Sequence, residues 1–352
     1  MIGSTSDKAG ERAPMKIYWT LKRRRFNLLI AAVACLWTAA PAHAASGPPL
    51  TVPQPQLDSA LQCDEFAHRD RSPVLFVHGA FATGPEEWDW TTRPELRARG
   101  FDTCVVTLPD RIVGSDLQVA AEYVVNAVRR MYREGDRSKV AVVGHSAGPP
   151  VARWALRWWR GVRKRVADFV SLAGINHGAA LEPSSLSGTA LMTPMMWQLS
   201  LDSRFLQALN GDEAPGPVDY TAIYTRYDVF QLPPHEGRAA LALGEGRANV
   251  SNILIQDVCP GMLTEHFSLI TDASAYSLIV DALLHDGPAS VARSGAREAC
   301  TASPLNPSAL AAFDRLAREL PGILEDSIAN GPPELHLVSE EPPLKPYVGD
   351  GP

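Results

Sequence analysis

The amino-acid sequence predicts an α/β fold in which helices cover both faces of a mainly parallel central sheet. Short apolar runs that suit buried strands alternate with longer stretches in which apolar residues recur at helical spacing. Such alternation is typical of parallel sheets, because a crossover helix must follow each strand. The 352 residues are 45% hydrophobic and 20% charged, which is enough for one large core. We therefore expect one folded domain over residues 45–330.

The predicted elements follow from local residue patterns. The stretch Leu117–Arg133 has apolar residues at helical spacing, and Ser115 or Asp116 can cap its start. The same spacing over Pro150–Arg160 predicts a second helix, and Ser308–Leu320 predicts a third that stops before a Pro-Gly pair. The strand candidates are Val74–Val77, Thr103–Leu108, Val140–Val143, Phe169–Leu172, Ala222–Tyr227 and Ile253–Val258.

The N-terminal residues have the pattern of an export signal. Basic residues 22–25 precede the apolar stretch Phe26–Ala40, and Ala42-His43-Ala44 then gives a small-x-small cleavage pattern. A membrane anchor is the alternative, but the apolar stretch is shorter than the roughly 20 residues needed to span a bilayer. We interpret residues 1–44 as a signal peptide for export to the periplasm or the medium. Two stretches that loosely resemble other signals leave the route open, Arg23-Arg24-Arg25-Phe26 of the twin-arginine type and Ala34-Cys35 of the lipoprotein type.

Cysteine usage agrees with export. Five cysteines are present, and four remain if Cys35 leaves with the signal. An even number in an exported protein indicates disulfides, with three pairings possible and buried free thiols as the alternative. Their spacing lacks a Cys-x-x-Cys pattern, so a zinc site is not expected. The four are Cys63, Cys104, Cys259 and Cys300.

The stretch VVGHSAGPP, residues 142–150, places Ser146 at a strand-to-helix corner. An apolar β-branched run precedes the serine, and two prolines that suit the first turn of a helix follow it. Gly144 and Gly148 remove the Cβ atoms that would clash at so sharp a corner. This Gly-x-Ser-x-Gly pattern predicts a nucleophile elbow, with chance occurrence as the alternative.

A serine nucleophile needs a base and a group that orients the base. On elbow-bearing sheets the partners follow in the order serine, acid, histidine, and they lie after strands. Asp228 directly follows the run Thr221–Tyr227, and His266 lies in the loop after the next strand. We predict these two as acid and base. The alternatives are Asp257 as a reserve acid and His235 or His285 as base.

Developing negative charge on an ester oxygen needs preorganised N–H donors. The elbow supplies the N–H group of Ala147, and the loop His78–Gly84 after the first predicted strand supplies that of Ala80. His78, His145 and His177 are expected to line or brace the same pocket. No metal motif, phosphate loop or dinucleotide fingerprint occurs, so no metal or cofactor is expected.

Two segments fall outside the strand–helix alternation. Residues 179–216 combine Ser, Gly and Pro with a Met-rich apolar stretch, and we predict a cap over the carboxyl edge of the sheet. An ordinary part of the core is the alternative. Residues 331–352 are rich in proline and are expected to form a C-terminal tail. The net charge of −6 gives no basic field for nucleic acid, and we expect a monomer.

The sequence resembles the Candida antarctica lipase B family of α/β-hydrolases. The resemblance is carried by the stretches VLFVHGAFATGPEEW from Val74, AAEYVVNAVRRMY from Ala120 and VARWALRWW from Val151, and by the contexts of Asp228 and His266. It runs from about Leu57 to about Pro321 and so covers nearly all of the expected mature chain. The family implies a sheet that begins at the strand Val74–Val77.

The resemblance also implies site residues, one position at a time. It places the nucleophile on Ser146, the acid on Asp228, the base on His266 and the oxyanion donors on Ala80 and Ala147. It further implies the disulfide pairs Cys63 with Cys104 and Cys259 with Cys300, whereas a third family disulfide has no cysteines here.

The sequence departs from the family at three positions near the expected site. Ala80 replaces a threonine that supplies a third oxyanion donor, a loss that can cost about a hundredfold in turnover. His145 replaces a tryptophan, and Ile175 replaces an aspartate. These changes leave the substrate preference open.

Together these features predict an exported serine hydrolase that cleaves carboxylic esters through an acyl-enzyme. Acylglycerols or other acyl esters, in solution or at a lipid–water interface, are the expected substrates. A polyester depolymerase or an acyltransferase would use the same chemistry. A non-catalytic binding protein on the same fold is the alternative from another class, but such proteins commonly lack a triad member.

Overall fold

The computed structural model describes residues 47–68, 70–110, 114–179, 192–231, 238–243, 246–302 and 336–349. The predicted signal peptide over residues 1–44 and the predicted helix Ser308–Leu320 lie outside these residues. So do residues 180–191 of the predicted cap and the alternative base His235.

A seven-stranded sheet organises the domain. Its strand order is β1-β3-β2-β4-β5-β6-β7, and every neighbouring pair is parallel except β1 with β3. This mainly parallel sheet with helices on both faces confirms the predicted α/β-hydrolase fold. The strands are β1 Leu61–Cys63, β2 Val74–Val77, β3 Thr103–Val106, β4 Val140–His145, β5 Val166–Leu172, β6 Asp219–Tyr224 and β7 Val250–Leu254.

The predicted strands match β2 at both ends and the others within a few residues. The run Ile253–Val258 divides into the end of β7 and a short helix, because the chain turns at Ile255. Strand β1 was not predicted, so the sheet begins one strand earlier than the family resemblance implies. Its three residues are too few to show a periodic pattern. A disulfide joins Cys63 to Cys104, which face each other in the register of β1 and β3.

The helices fill the connections between the strands. Helix α4 begins after Asp116, whose side chain accepts a hydrogen bond from the N–H group of Gln118. The helices are α1 Gln54–Ser59, α2 Gly84–Trp88, α3 Thr92–Ala98, α4 Leu117–Glu134, α5 Gly148–Trp158, α6 Arg160–Arg163, α7 Pro194–Gln198, α8 Arg204–Asn210, α9 Ile255–Val258, α10 Ala273–Leu284 and α11 Val291–Ser294.

Two apolar cores lie on opposite faces of the sheet. Alternate residues of one strand enter different cores, so that Leu75 and Val77 of β2 join one while Val74 and Phe76 join the other. Helices α4 and α5 cover the first core, and α10 covers the second. Both faces of the sheet are therefore buried, as parallel sheets require.

Two segments, one from the predicted cap and one near the C-terminus, pack against the first core. Helices α7 and α8, from the described part of the predicted cap, bury Met195 and Phe205, and the Phe205 ring stacks on Trp154 at 4.4 Å. Residues 336–349 of the predicted tail also dock there. The Trp154 indole N–H group donates to the Tyr347 hydroxyl at 2.9 Å, and Arg204 pairs with Glu341. These described residues therefore extend the body of the domain.

A second disulfide joins Cys259 to Cys300 beside the second core. Within the described part of the chain, no helix is both long enough and apolar enough to cross a membrane.

Candidate active site

Ser146 occupies a strained corner between β4 and α5. Its backbone φ is 59°, in the left-handed region that residues with a side chain seldom adopt. A Cβ atom at Gly148 would lie 2.6 Å from the carbonyl oxygen of Val77, and one at Gly144 would lie 3.1 Å from the nitrogen of Pro149. The flanking glycines therefore allow the close approach that the predicted elbow requires.

Ser146, His266 and Asp228 lie in one hydrogen-bonded row. The Ser146 hydroxyl donates to Nε2 of His266 at 2.9 Å, and Nδ1 of His266 donates to Oδ2 of Asp228 at 2.8 Å. All three residues are buried, and His266 is fully inaccessible. The structure thus brings together three side chains that span 120 residues of sequence.

The Asp228 carboxylate has its own donors. Its Oδ1 accepts from the N–H group of Phe230 at 2.9 Å, and its Oδ2 accepts from the side chain of Gln231 at 3.0 Å. Burial raises the pKa of Asp228, but His266 and these two donors outweigh it and hold the pKa below its ordinary value. The carboxylate is therefore ionised at neutral pH.

The His266 imidazole is set up as a base. Burial lowers its pKa below the ordinary value, although the Asp228 carboxylate acts in the opposite direction. The ring is therefore neutral near pH 7, and its Nε2 can accept a proton from Ser146. Phe230 and Phe267 enclose the ring, with centroids 4.7 and 5.1 Å from its own.

Hydrogen bonds join the loop that carries Asp228 to the loop that carries His266. Strand β6 ends at Tyr224, so Asp228 lies four residues beyond the strand rather than directly after it. Tyr227 forms an isolated parallel bridge with Glu265, one residue before the histidine. The Thr225 hydroxyl donates to the carbonyl oxygen of Thr264 at 2.5 Å. These contacts fix the separation of the two loops, and the sequence carried no signal for them.

The loop after β2 lies against the serine. A Cβ atom at Gly79 would lie 2.7 Å from Cβ of Ser146, so only glycine allows this contact. Within the described residues, the N–H groups of Ala80 and Ala147 donate to no protein acceptor. Both amides are therefore available to a bound oxygen atom.

Two of the three pocket histidines predicted from the sequence contact this site. His78 is buried and braces the loop, since its Nδ1 donates to the carbonyl oxygen of Gly79 at 2.6 Å and its Nε2 accepts from the N–H group of Leu108. His145 donates from Nε2 to the carbonyl oxygen of His266 at 3.1 Å. Nε2 of His177 instead lies 3.2 Å from Oε2 of Glu213.

The alternative acid and base do not join the row. Asp257 lies on α9 with an exposed side chain, and His285 lies at the end of α10, where it contacts Asp281. Within the described ranges, no group of three or more His, Cys, Asp or Glu side chains could hold a metal ion. A hydroxyl, a neutral imidazole, an ionised carboxylate and two open amides suit nucleophilic attack on a carbonyl carbon.

Comparisons with known proteins agree with this chemistry. The sequence profile of the lipase (class 2) family matches residues 71–238. Lipase B of Pseudozyma antarctica is 29% identical over 240 residues, which cover 65% of this chain and 69% of that protein. The crystal structure of Aspergillus fumigatus lipase B superposes with a TM-score of 0.75 at 26% identity, covering 88% of this chain and 75% of that chain.

Proposed function

Since this chain is a lipase B-like α/β-hydrolase that cleaves carboxylic ester bonds, we propose that Ser146, His266 and Asp228 are its catalytic triad. The observation that carries the proposal is the unbroken row of hydrogen bonds, 2.9 Å from Ser146 to His266 and 2.8 Å from His266 to Asp228. Each step of ester hydrolysis then has a group in place.

Ser146 attacks the ester carbonyl carbon while Nε2 of His266 takes the hydroxyl proton. The tetrahedral intermediate collapses as His266 gives this proton to the leaving alcohol, which leaves an acyl group on the Ser146 oxygen. Water then attacks the acyl-enzyme with His266 as base, and the acid is released. Asp228 holds the imidazole with its proton on Nδ1 and stabilises the imidazolium that forms.

The N–H groups of Ala80 and Ala147 are proposed to bind the oxygen that becomes negatively charged. The alanine side chain at position 80 offers no hydroxyl, so this loop contributes a backbone donor alone. We propose acyl esters such as acylglycerols as the substrate class. Turnover of an acyl chain-length series, measured below and above the solubility limit of each ester, distinguishes a lipase from an esterase.

Export is proposed for the same protein. The N-terminal signal pattern and the two disulfides support it, because disulfides persist in oxidising compartments. N-terminal sequencing of the mature protein tests cleavage after Ala44.

Substitution of the serine tests the triad. We expect Ser146→Ala to lower kcat for p-nitrophenyl acyl esters by about 10⁴-fold or more, because the nucleophile is lost. A fluorophosphonate probe should label the natural protein and not the variant. The control is Ser59→Ala on the exposed end of α1, which should keep both activity and labelling. Turnover by Ser146→Ala within tenfold of the natural protein contradicts the proposal.

A further inference from the structure

Next to the triad, a buried carboxylate faces a buried imidazole. The two residues are Glu87 on α2 and His145 at the end of β4. Nδ1 of His145 lies 3.3 Å from Oε1 of Glu87, and Nε2 of His145 donates to the backbone carbonyl oxygen of His266 at 3.1 Å. Both side chains are almost inaccessible, with exposures of 2% for His145 and 7% for Glu87. We refer to them as the Glu87–His145 pair.

This pair touches all three segments that supply the reacting groups. The Glu87 carboxylate accepts from the N–H group of Gly79, at 3.0 Å through Oε2, and so holds the loop that carries Ala80. His145 is the residue directly before Ser146. Its contact with the His266 carbonyl oxygen spans 121 residues of sequence. One ion pair therefore links the oxyanion loop, the elbow and the histidine loop.

The two ring nitrogens of His145 both face acceptors. Nε2 donates to a carbonyl oxygen, and Nδ1 lies 3.3 Å from the Glu87 carboxylate without the alignment of a hydrogen bond, so the negative charge beside Nδ1 favours a second proton on the ring. A neutral ring would leave a lone pair facing one of these oxygens. Burial lowers the pKa of His145, but Glu87, the His266 carbonyl oxygen and Asp228 together outweigh burial and hold this pKa above its ordinary value of 6.5.

We propose that the Glu87–His145 pair is a positioning element that keeps the His266 loop in its catalytic place while His145 is an imidazolium. The inference rests on the proposed triad, since it assigns a role to contacts with His266. A role in packing alone would not make activity depend on the protonation of His145, whereas the proposed positioning role does.

Other charged groups also act on His145. The Asp228 carboxylate favours the protonated ring as well, whereas the His266 ring, centred 5.0 Å away, is neutral near pH 7. Burial lowers the pKa of His78, so His78 adds no competing positive charge. Among the carboxylates, Glu87 favours the protonated ring of His145 most strongly.

The pH dependence follows from these directions. His145 has a raised pKa, so its contribution is complete below pH 6.5 and is lost as pH rises through the folded-state value. His266 has a lowered pKa, so the acidic limb of activity lies below pH 6.5. We therefore expect a bell-shaped profile whose alkaline limb belongs to His145.

Glu87→Gln tests this assignment. The glutamine oxygen can still accept from Gly79, and its amide can donate to Nδ1 of a neutral His145 whose Nε2 still donates to His266. We expect the alkaline limb to disappear from the profile of kcat. The control is Glu86→Gln, an exposed neighbour on the same helix, which should keep the limb. An unchanged alkaline limb in Glu87→Gln overturns the inference.

His145→Phe tests the positioning step itself. The ring is kept but the donor to the His266 carbonyl oxygen is lost, so we expect kcat to fall about tenfold to a hundredfold with KM changed less than about twofold. A kcat equal to that of the natural protein overturns the inference. If Ser146→Ala is inactive in that case, the proposed triad still stands, so the two failures are distinguishable.

A spectroscopic readout covers the event that either variant fails to fold. In the full-length natural protein with ¹⁵N-labelled histidine, the ring nitrogens of His145 should titrate with a midpoint above pH 6.5. This midpoint should coincide with the alkaline limb of activity. A midpoint below pH 6.5, or one that differs from the alkaline limb, overturns the inference without any variant.

Discussion

The two edges of the parallel sheet both carry titratable groups with perturbed pKa values, but they do so in opposite ways. At the carboxyl edge, His266 faces Asp228 and His145 faces Glu87. Each imidazole meets a carboxylate contributed by a distant part of the chain. Hydrogen-bond donors to the Asp228 carboxylate and the negative charge of Glu87 beside His145 offset the free energy lost by burial there.

At the amino edge, like charges meet. Asp168 of β5 lies in register with Asp219 of β6, and burial together with Asp219 raises the pKa of Asp168 to about 7. Burial, helped by Arg165 and Arg133, lowers the pKa of Arg129 near the end of α4. These groups perturb one another without forming a row of donors and acceptors.

A perturbed pKa alone therefore does not mark a functional site. Burial acts at both edges, but only the carboxyl edge combines it with a nucleophile, a base and open amides within hydrogen-bond range. The amino edge shows instead a repulsion that the fold tolerates. Matched substitutions at the two edges separate these cases.

Asp228→Asn should give the largest effect. The amide of asparagine favours the wrong tautomer of His266, so we expect kcat to fall by about 10⁴-fold, as steady-state kinetics would show. The same change at the amino edge, Asp168→Asn, should leave kcat unchanged. An Asp228→Asn variant whose kcat lies within tenfold of that of the natural protein would contradict the different roles assigned to the two edges.

Asp168→Asn should instead change stability. The raised pKa of Asp168 means that the unfolded state loses its proton first, so stability falls as pH rises from about 4 to the folded-state pKa of about 7. Asparagine removes this loss and should raise the free energy of unfolding at pH 8 by up to about 4 kcal/mol, with little change below pH 4.

Urea unfolding at the two pH values measures this effect. The control is Asp257→Asn on α9, whose carboxylate is exposed. An equal gain in unfolding free energy for both variants would contradict the raised pKa of Asp168 as the cause. So would a gain at pH 4 as large as that at pH 8.

Arg129→Gln should give the smallest effect. Loss of one positive charge relieves repulsion from Arg165 and Arg133, so we expect a gain in unfolding free energy of about 0.5 kcal/mol that shrinks as salt is added. Arg130→Gln is the control, because Arg130 pairs with Glu134 at 2.8 Å. A gain for Arg130→Gln that matches the one for Arg129→Gln would contradict the repulsion.

Much of the fold could be predicted from local patterns. Strand β2 agrees at both ends, and helix α4 agrees within one residue. Strand β1 could not be predicted, because three residues carry no period and its pairing partner lies about 40 residues away. The docking of residues 336–349 was missed for a related reason, since a proline-rich composition does not reveal that Tyr347 meets Trp154.

The candidate site likewise contains residues that local sequence patterns predict and residues that they do not. The elbow around Ser146 is a local steric pattern, and chain order and strand ends singled out Asp228 and His266. The residues that brace them gave no such signal. Glu87 reads as one of two glutamates on a helix, and Gln231 as an ordinary loop residue. Only the positions of their atoms show that they hold Gly79 and Asp228.

Local patterns in the sequence are enough for the strand–helix alternation, the sharp corner at the serine and the types of reacting group, because backbone sterics and side-chain periodicity act over a few residues. Which groups meet in the site, and which protonation state each one holds, depends on the folded chain. Hydrogen bonds, burial and charge in the site are set by atoms from segments that lie up to 121 residues apart.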